Sequence, residues 1–270
     1  MKIFIDSADI NEIEKAYSYG ILDGVTTNPS LIKKAAEKNK IKNMGVYIKK
    51  ILKAAKKTPV SLEVIGTDYK SMVEEGKRLF KKFKSSGNVY IKIPIDPCLK
   101  QSCDNSSDGI KAIKTLSKSK IPVNCTLIFT PEQALLASKA GAKFISPFAG
   151  RIDDYIRKNA HIKFDKSDYF PKKGLKKGKK ILEDNGIVSG VDLVKECVLV
   201  LKENKMKTKV LAASIRNPRQ FREVKLIGAD IATLPFKVIE KLLYHYKTAE
   251  GMKNFIKDVV PEYKKILKKK

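Results

Sequence analysis

Short apolar runs alternate along the chain with longer stretches in which apolar residues recur every three or four positions. The short runs cover residues 2–6, 24–28, 59–65, 89–94, 121–128, 143–147, 209–213 and 231–234. They are rich in β-branched and aromatic residues, and they predict strands. The longer stretches predict helices over 7–19, 29–38, 42–55, 69–84, 107–118, 131–140, 190–202, 218–226, 236–246 and 251–269. Pro29, Pro131, Pro218 and Pro235 follow strand ends and sit where a first-turn proline is tolerated. Eight strands alternating with helices predict an α/β fold of the (β/α)8, or TIM, barrel type. A doubly wound open sheet is the competitor, but no glycine-rich phosphate loop follows the first strand.

Two stretches break the rhythm. Residues 96–107 (DPCLKQSCDNSS) form a polar loop after the fourth strand, and residues 155–187 are longer and lysine-rich. Both are expected as surface insertions, mobile in part, on a single barrel domain spanning 1–270 with a C-terminal helix over about 251–270.

Charge changes the picture only slightly. The formal net charge is +27, which raises the question of nucleic acid. The excess is almost all lysine, spread over nearly every predicted helix, and no basic motif is interleaved with aromatics. Such runs read as solvated faces, so no nucleic-acid partner is expected, and a basic nucleic-acid-binding barrel remains the remote alternative. The arginines are the informative cations: Arg78, Arg151, Arg157, Arg216, Arg219 and Arg222. Cys98, Cys103, Cys125 and Cys197 show no CxxC spacing, so reduced cysteines are the expectation. With only His161 and His245, a histidine-based metal site has little material, and no metal is expected. No apolar stretch approaches a membrane span, and the N-terminus turns acidic at Asp6, too early for a secretory signal. A cytoplasmic protein with no membrane partner is the expectation.

Chemistry in this fold sits at the C-terminal ends of the strands. The polar residues predicted there are Asp6, Thr26, Asn28, Glu63, Lys92, Asn124, Thr126, Ser146, Ser214 and Arg216. Any one of them reads as a cap at a βα loop; a polar group closing each of seven consecutive strands, two of them carboxylates, does not. Lys92 stands out, within Val89-Tyr90-Ile91-Lys92-Ile93-Pro94. A lysine buried in such a run needs a partner or a lowered pKa, and a neutral ε-amine condenses with a ketone to give a Schiff base. A snorkelling lysine on an edge strand is the alternative. Carboxylates nearby would move the protons of such a reaction, and amides and hydroxyls would orient a polyhydroxylated chain. Arg151, in Gly150-Arg151-Ile152-Asp153-Asp154, and Arg216 with Ser214 suit a phosphate held from loops after the sixth and seventh strands.

These segments resemble the transaldolase family, in its short, single-barrel branch. The resemblance rests on Asp6-Ser7-Ala8, Gly24-Val25-Thr26-Thr27-Asn28-Pro29-Ser30, Val60-Ser61-Leu62-Glu63-Val64, Ile91-Lys92-Ile93-Pro94 and Asn124-Cys125-Thr126-Leu127-Ile128-Phe129. Ser146-Pro147-Phe148-Ala149-Gly150-Arg151-Ile152-Asp153-Asp154 and Ala212-Ala213-Ser214-Ile215-Arg216 complete the ordered series. It implies Lys92 as the Schiff-base lysine, Asp6 as the acid/base for the cleaved hydroxyl, and Glu63 with Thr126 as the pair that activates water. It implies Asn28 and Asn124 as substrate-hydroxyl contacts, Thr26 and Ser146 as pocket lining, and Arg151, Ser214 and Arg216 as the phosphate site. The activity implied is transfer of a dihydroxyacetone unit between sugar phosphates, without cofactor, by a homo-oligomeric ring or decamer of the pentose phosphate pathway. Fructose-6-phosphate aldolases share the family and are the near alternative. They tend to carry glutamine and tyrosine where this chain has Glu63 and Phe148, and both positions favour transfer over cleavage.

Overall fold

The computed structural model describes residues 1–100 and 103–267. Of the predicted features, residues 101–102 of the first insertion and 268–270 of the C-terminal helix lie outside the described residues. Eight parallel strands close into a barrel: β1 (Lys2–Asp6), β2 (Gly24–Thr26), β3 (Pro59–Glu63), β4 (Asn88–Pro94), β5 (Val123–Ile128), β6 (Phe144–Pro147), β7 (Lys209–Ala212) and β8 (Ile231–Leu234). Each strand pairs with the next in sequence, and β8 closes on β1 through Lys2↔Ile231 and Phe4↔Thr233.

The period-2 alternation of a strand divides the apolar residues into two cores. Ile5, Val25, Val60, Leu62, Ile91, Ile93, Cys125 and Ile145 face outward and pack with the helices in the larger core. Phe4, Phe144, Leu211, Ala213 and Ile231, with Tyr90 and Phe148 against them, fill the barrel itself. The rings of Tyr90 and Phe144 stack at 4.5 Å, and Phe4 meets Phe144 edge-on at 6.0 Å. The inward parity then continues upward: Phe4 is followed by Asp6, Tyr90 by Lys92, and Phe144 by Ser146. The register between β5 and β6 shifts between Cys125 and Ile128, with Leu127 at φ 59°. Such a bulge re-aims the chain just beyond Thr126.

Predicted and observed elements agree at most boundaries, and the differences have local causes. The helix Ala149–Asn159 occupies a stretch expected as a phosphate loop followed by an insertion. Its polar residues obscure the pattern, but Ile152 and Ile156 are buried at helical spacing. The helix expected over 236–246 ends at Leu243, and the one expected over 251–269 is two, Tyr246–Lys257 and Pro261–Leu267. Tyr244 is extended, and Pro261 has no N–H to continue a helix and so begins a new one.

The second insertion is docked rather than loose. Arg157 is 5% exposed and lies between the rings of Phe164 and Phe170, 5.0 and 4.9 Å from its guanidinium carbon. Its Nη2 donates to the carbonyls of Asp168 (3.2 Å) and Tyr169 (2.9 Å). The Tyr169 hydroxyl donates to Glu223 at 2.8 Å, and Arg219 stacks 3.7 Å from the Tyr169 ring. Beyond this clamp a short antiparallel ribbon joins Lys176–Lys177 to Lys180–Ile181. In the first insertion Cys98 and Cys103 form a disulfide with Cα atoms 6.2 Å apart, which corrects the expectation of reduced cysteines throughout. CxxC spacing was too narrow a criterion for a loop that folds back on itself. Cys125 and Cys197 are free and buried.

Candidate active site

The strand register sets the floor of the site. Glu63 pairs with Lys92 and Lys92 with Asn124 across β3, β4 and β5, so the three side chains point into the barrel from adjacent strands on one level. Lys92 is 4% exposed, and its Nζ lies 3.0 Å from Glu63 Oε2 and 3.3 Å from the Thr27 carbonyl, to which it donates. The Glu63 contact is an ion pair by distance, without the alignment of a directed hydrogen bond. The cost of burying an ammonium is thereby offset by a carboxylate, and the snorkelling alternative is excluded.

Asp6 accepts a hydrogen bond from the Thr26 hydroxyl at 2.6 Å, and Thr26 shares a second, also 2.6 Å, with Thr233. Burial pushes the Asp6 carboxyl above its usual range, and Lys92, the Thr26 hydroxyl and Arg151 pull it back. Asn124 donates to Ser61 Oγ at 3.1 Å and accepts from Ser146 Oγ at 2.7 Å, which fixes the orientation of its amide. Thr126 is fully buried and its hydroxyl has no partner among the described residues. Such an orphan beside a polar cavity is the kind of group a bound water or substrate hydroxyl satisfies.

Asn28 spends its carbonyl oxygen capping the helix Pro29–Lys38, accepting from Leu31 N at 3.0 Å. Its NH2 group remains for the cavity. The Phe148 ring lies 5.8 Å from Lys92 Nζ and 5.0 Å from the Arg151 guanidinium carbon, and meets Phe129 edge-on. Arg216 pairs with Asp154 at 2.9 Å, while its backbone N–H donates to Gln220 Oε1 at 2.8 Å. Gln220 in turn donates to Asp153 at 2.8 Å, and Asp153 also accepts from Gly190 N at 2.7 Å. Burial pushes the Asp153 carboxyl up to about 7, against the Gly190 hydrogen bond and the Arg157 charge.

The first turn of the Ala149–Asn159 helix is hydrogen-bonded to the loop after β7. Ala149 N donates to Ala213 O at 3.0 Å and Gly150 N to Ser214 O at 3.1 Å. A Cβ at Gly150 would collide with the Ser214 carbonyl oxygen and with Arg216 Nε. Ser214 itself holds φ 59°, a left-handed conformation costly for a residue with a side chain.

A cavity of about 340 Å³ opens at the C-terminal ends of the strands. Nine of the twelve predicted residues line it: Asp6, Thr26, Asn28, Lys92, Ser146, Phe148, Arg151, Ser214 and Arg216. The other three stand next to that lining: Glu63 on Lys92, Asn124 on Ser146, and Thr126 opposite Pro94 on the strand beside Lys92. Sequence reasoning missed Thr233, Ser30, Lys34 and Lys166, which also line it, and the role of Asp154 behind Arg216. Thr233 was legible as the eighth strand's inward polar residue. Lys166 was not, because nothing distinguishes it among the lysines of its insertion. Arg151 lies in the first turn of a helix rather than on a loop, yet still faces the same cavity as Arg216.

The structure is thus a closed parallel barrel with a carboxylate-paired lysine at the C-terminal ends of its strands. A profile of the Transaldolase/Fructose-6-phosphate aldolase family matches residues 3–269. Over 270 residues the chain is 40% identical to "Probable transaldolase" of Thermoplasma acidophilum, covering 99% of this chain and 100% of that one. It is 41% identical to the protein of the same name in Nitrosopumilus maritimus over 259 residues, covering 96% and 94% of the two chains. The corresponding Bacteroides thetaiotaomicron protein is 41% identical over 268 residues, covering 98% and 99%. The chain belongs to the transaldolase/fructose-6-phosphate aldolase family.

Proposed function

We propose that the protein transfers a dihydroxyacetone unit from a ketose phosphate, sedoheptulose 7-phosphate or fructose 6-phosphate, to glyceraldehyde 3-phosphate or erythrose 4-phosphate, as a cytoplasmic transaldolase of the pentose phosphate pathway. The observation that carries this reading is the Lys92–Glu63 contact of 3.0 Å, beneath a cavity whose wall holds two arginines.

The Lys92 amine attacks the donor's C2 carbonyl, and the carbinolamine loses its hydroxyl as water with a proton supplied through Glu63. The resulting iminium draws electrons from the C3–C4 bond as Asp6 removes the proton from the C4 hydroxyl. Burial raises the affinity of Asp6 for a proton, which suits a base that must later return it. The bond breaks, the aldose phosphate leaves, and an enamine remains on Lys92. The enamine adds to the acceptor aldehyde while Asp6 protonates the new alkoxide. Water held by Glu63 and Thr126 then releases the product ketose. Arg151 and Arg216 hold the phosphate, a dianion matched by guanidinium geometry.

Two features favour transfer over the family's aldolase reaction. Phe148 places an aromatic ring near Lys92 with no acidic proton to quench an enamine, and Glu63 keeps a carboxylate on the lysine. The exposed apolar residues of the terminal helices, among them Met252, Phe255 and Ile256, support a homo-oligomer in which a second copy covers them.

Borohydride reduction in the presence of fructose 6-phosphate should leave a stable adduct on Lys92, and Lys92→Ala should abolish both adduct and transfer, with kcat lower by about 10⁴ or more. An adduct that persists in Lys92→Ala would overturn the assignment. Assays with and without acceptor aldehyde separate transfer from simple cleavage.

A further inference from the structure

Three cations, Arg151, Arg216 and Lys166, line two cavities at once. They face the barrel mouth of about 340 Å³ and an outer groove of about 640 Å³. They therefore form the partition between the two. Two of them come from the barrel, while Lys166 comes from the lysine-rich insertion.

Most of that insertion is exposed, but the turn carrying Lys166 is built and anchored. Asp165 N donates to Asp168 Oδ2 at 2.8 Å, and Ser167 donates to Asp165 Oδ1 through its N–H (2.8 Å) and hydroxyl (2.7 Å). Arg157 holds the next carbonyls of the segment from below, at Asp168 and Tyr169. Asn217 donates to the Ser167 carbonyl at 3.4 Å, tying the turn to the residue after Arg216. A fixed turn thus presents a flexible side chain at the edge of the cavity.

Charge gives this placement a purpose. Arg216 is already paired with Asp154, so the two arginines and Asp154 leave this wall one net positive charge. A phosphate monoester carries about −1.5 to −2 at pH 7. The remaining charged groups of the outer groove, Lys158 and Asp184, are opposite in sign. Lys34 lines the mouth too, but from the helix after β2, which stands across the barrel from β6.

We propose that Lys166 is the third cation of the phosphate grip and sets the enzyme's preference for phosphorylated over unphosphorylated sugars. This rests on the reading of Arg151 and Arg216 as phosphate ligands. Lys166→Ala should raise KM for fructose 6-phosphate about fivefold, the reach of one solvent-facing charge pair. Lys166→Glu, which replaces attraction by repulsion of similar size, should raise it about twenty-five-fold. In both, kcat should stay within twofold and KM for fructose, the unphosphorylated counterpart cleaved at the same bond, should not move. Lys166→Arg should behave as the parent. Parent-like KM in Lys166→Ala, equal losses on both donors, or loss in Lys166→Arg would each overturn the proposal. A parent enzyme that forms no borohydride adduct with fructose 6-phosphate would instead overturn the underlying functional reading.

Discussion

The two ends of the barrel are made by the same strands and have opposite characters. Below the mouth Phe4, Tyr90, Phe144, Leu211 and Ile231 pack into an apolar plug, with Leu211 also reaching the cavity floor. Two residues further along the same strands, and on the same side of the sheet, stand Asp6, Lys92, Ser146, Ala213 and Thr233 around the cavity. One pleat, about 7 Å of strand, separates the two layers. The strands that carry the chemistry are thus anchored by an aromatic layer that takes no part in it, so rigidity and polarity are divided between the ends rather than traded within one of them.

Substitutions on matching positions test that division, and Asp6→Asn should have the largest effect after loss of Lys92 itself. It keeps the shape and the acceptor for Thr26 but removes the base, so kcat should fall about 10²- to 10⁴-fold. Stability should move the other way. The Asp6 carboxyl is raised above 3.8, so the folded state holds its proton more tightly and loses stability as pH climbs from the ordinary carboxylate range through the raised value. Asparagine escapes that cost, and urea unfolding should show a variant at least as stable as the parent above this window, with a smaller difference below it.

Phe144→Ala, on the plug, should do the reverse. It should lose about 3–5 kcal/mol in urea unfolding while the folded fraction keeps kcat within a few-fold. A comparable loss of kcat would mean that the plug sets the catalytic geometry directly. Arg216→Ala, made with Asp154→Asn so that no buried carboxylate is stranded, should raise KM for phosphorylated donors about tenfold to a hundredfold and spare unphosphorylated fructose. The smallest effect belongs to Phe148→Tyr, which adds one hydroxyl near the enamine and should shift the ratio of donor cleavage to transfer about three- to tenfold toward cleavage. An unchanged ratio in a folded variant would assign Phe148 to packing against Phe129.

Much of the mouth was legible because strands of period 2 place alternate residues on one face, and the parallel order places all the C-terminal ends together. Lys92, Glu63 and Asn124 could each be put at the end of a strand before any distance was known, and the register then sets them on one level. The plug was less visible: the parity that turns Lys92 and Ser146 inward turns Tyr90 and Phe144 inward too, but nothing in the sequence says that their rings stack. The helix Ala149–Asn159 was hidden by its own charges: Arg151, Asp153, Asp154 and Arg157 interrupt an apolar pattern that Ile152 and Ile156 alone sustain. The same charges, once folded, make the support behind Arg216 and the clamp on the insertion. Long-range pairing of this kind leaves no periodic trace, which is also why Lys166 and Asp154 could not be singled out.

The bare Cα of Gly150 has a consequence for how the site can change over time. It lets the start of one helix lie flat against the Ser214 carbonyl and the Arg216 side chain. A single methyl there would act as a wedge, prising the arm that carries Arg151 away from the arm that carries Arg216. At this one joint the smallest possible enlargement separates two halves of a grip that work only when closed, so a lineage can retune what surrounds the joint but not the joint itself.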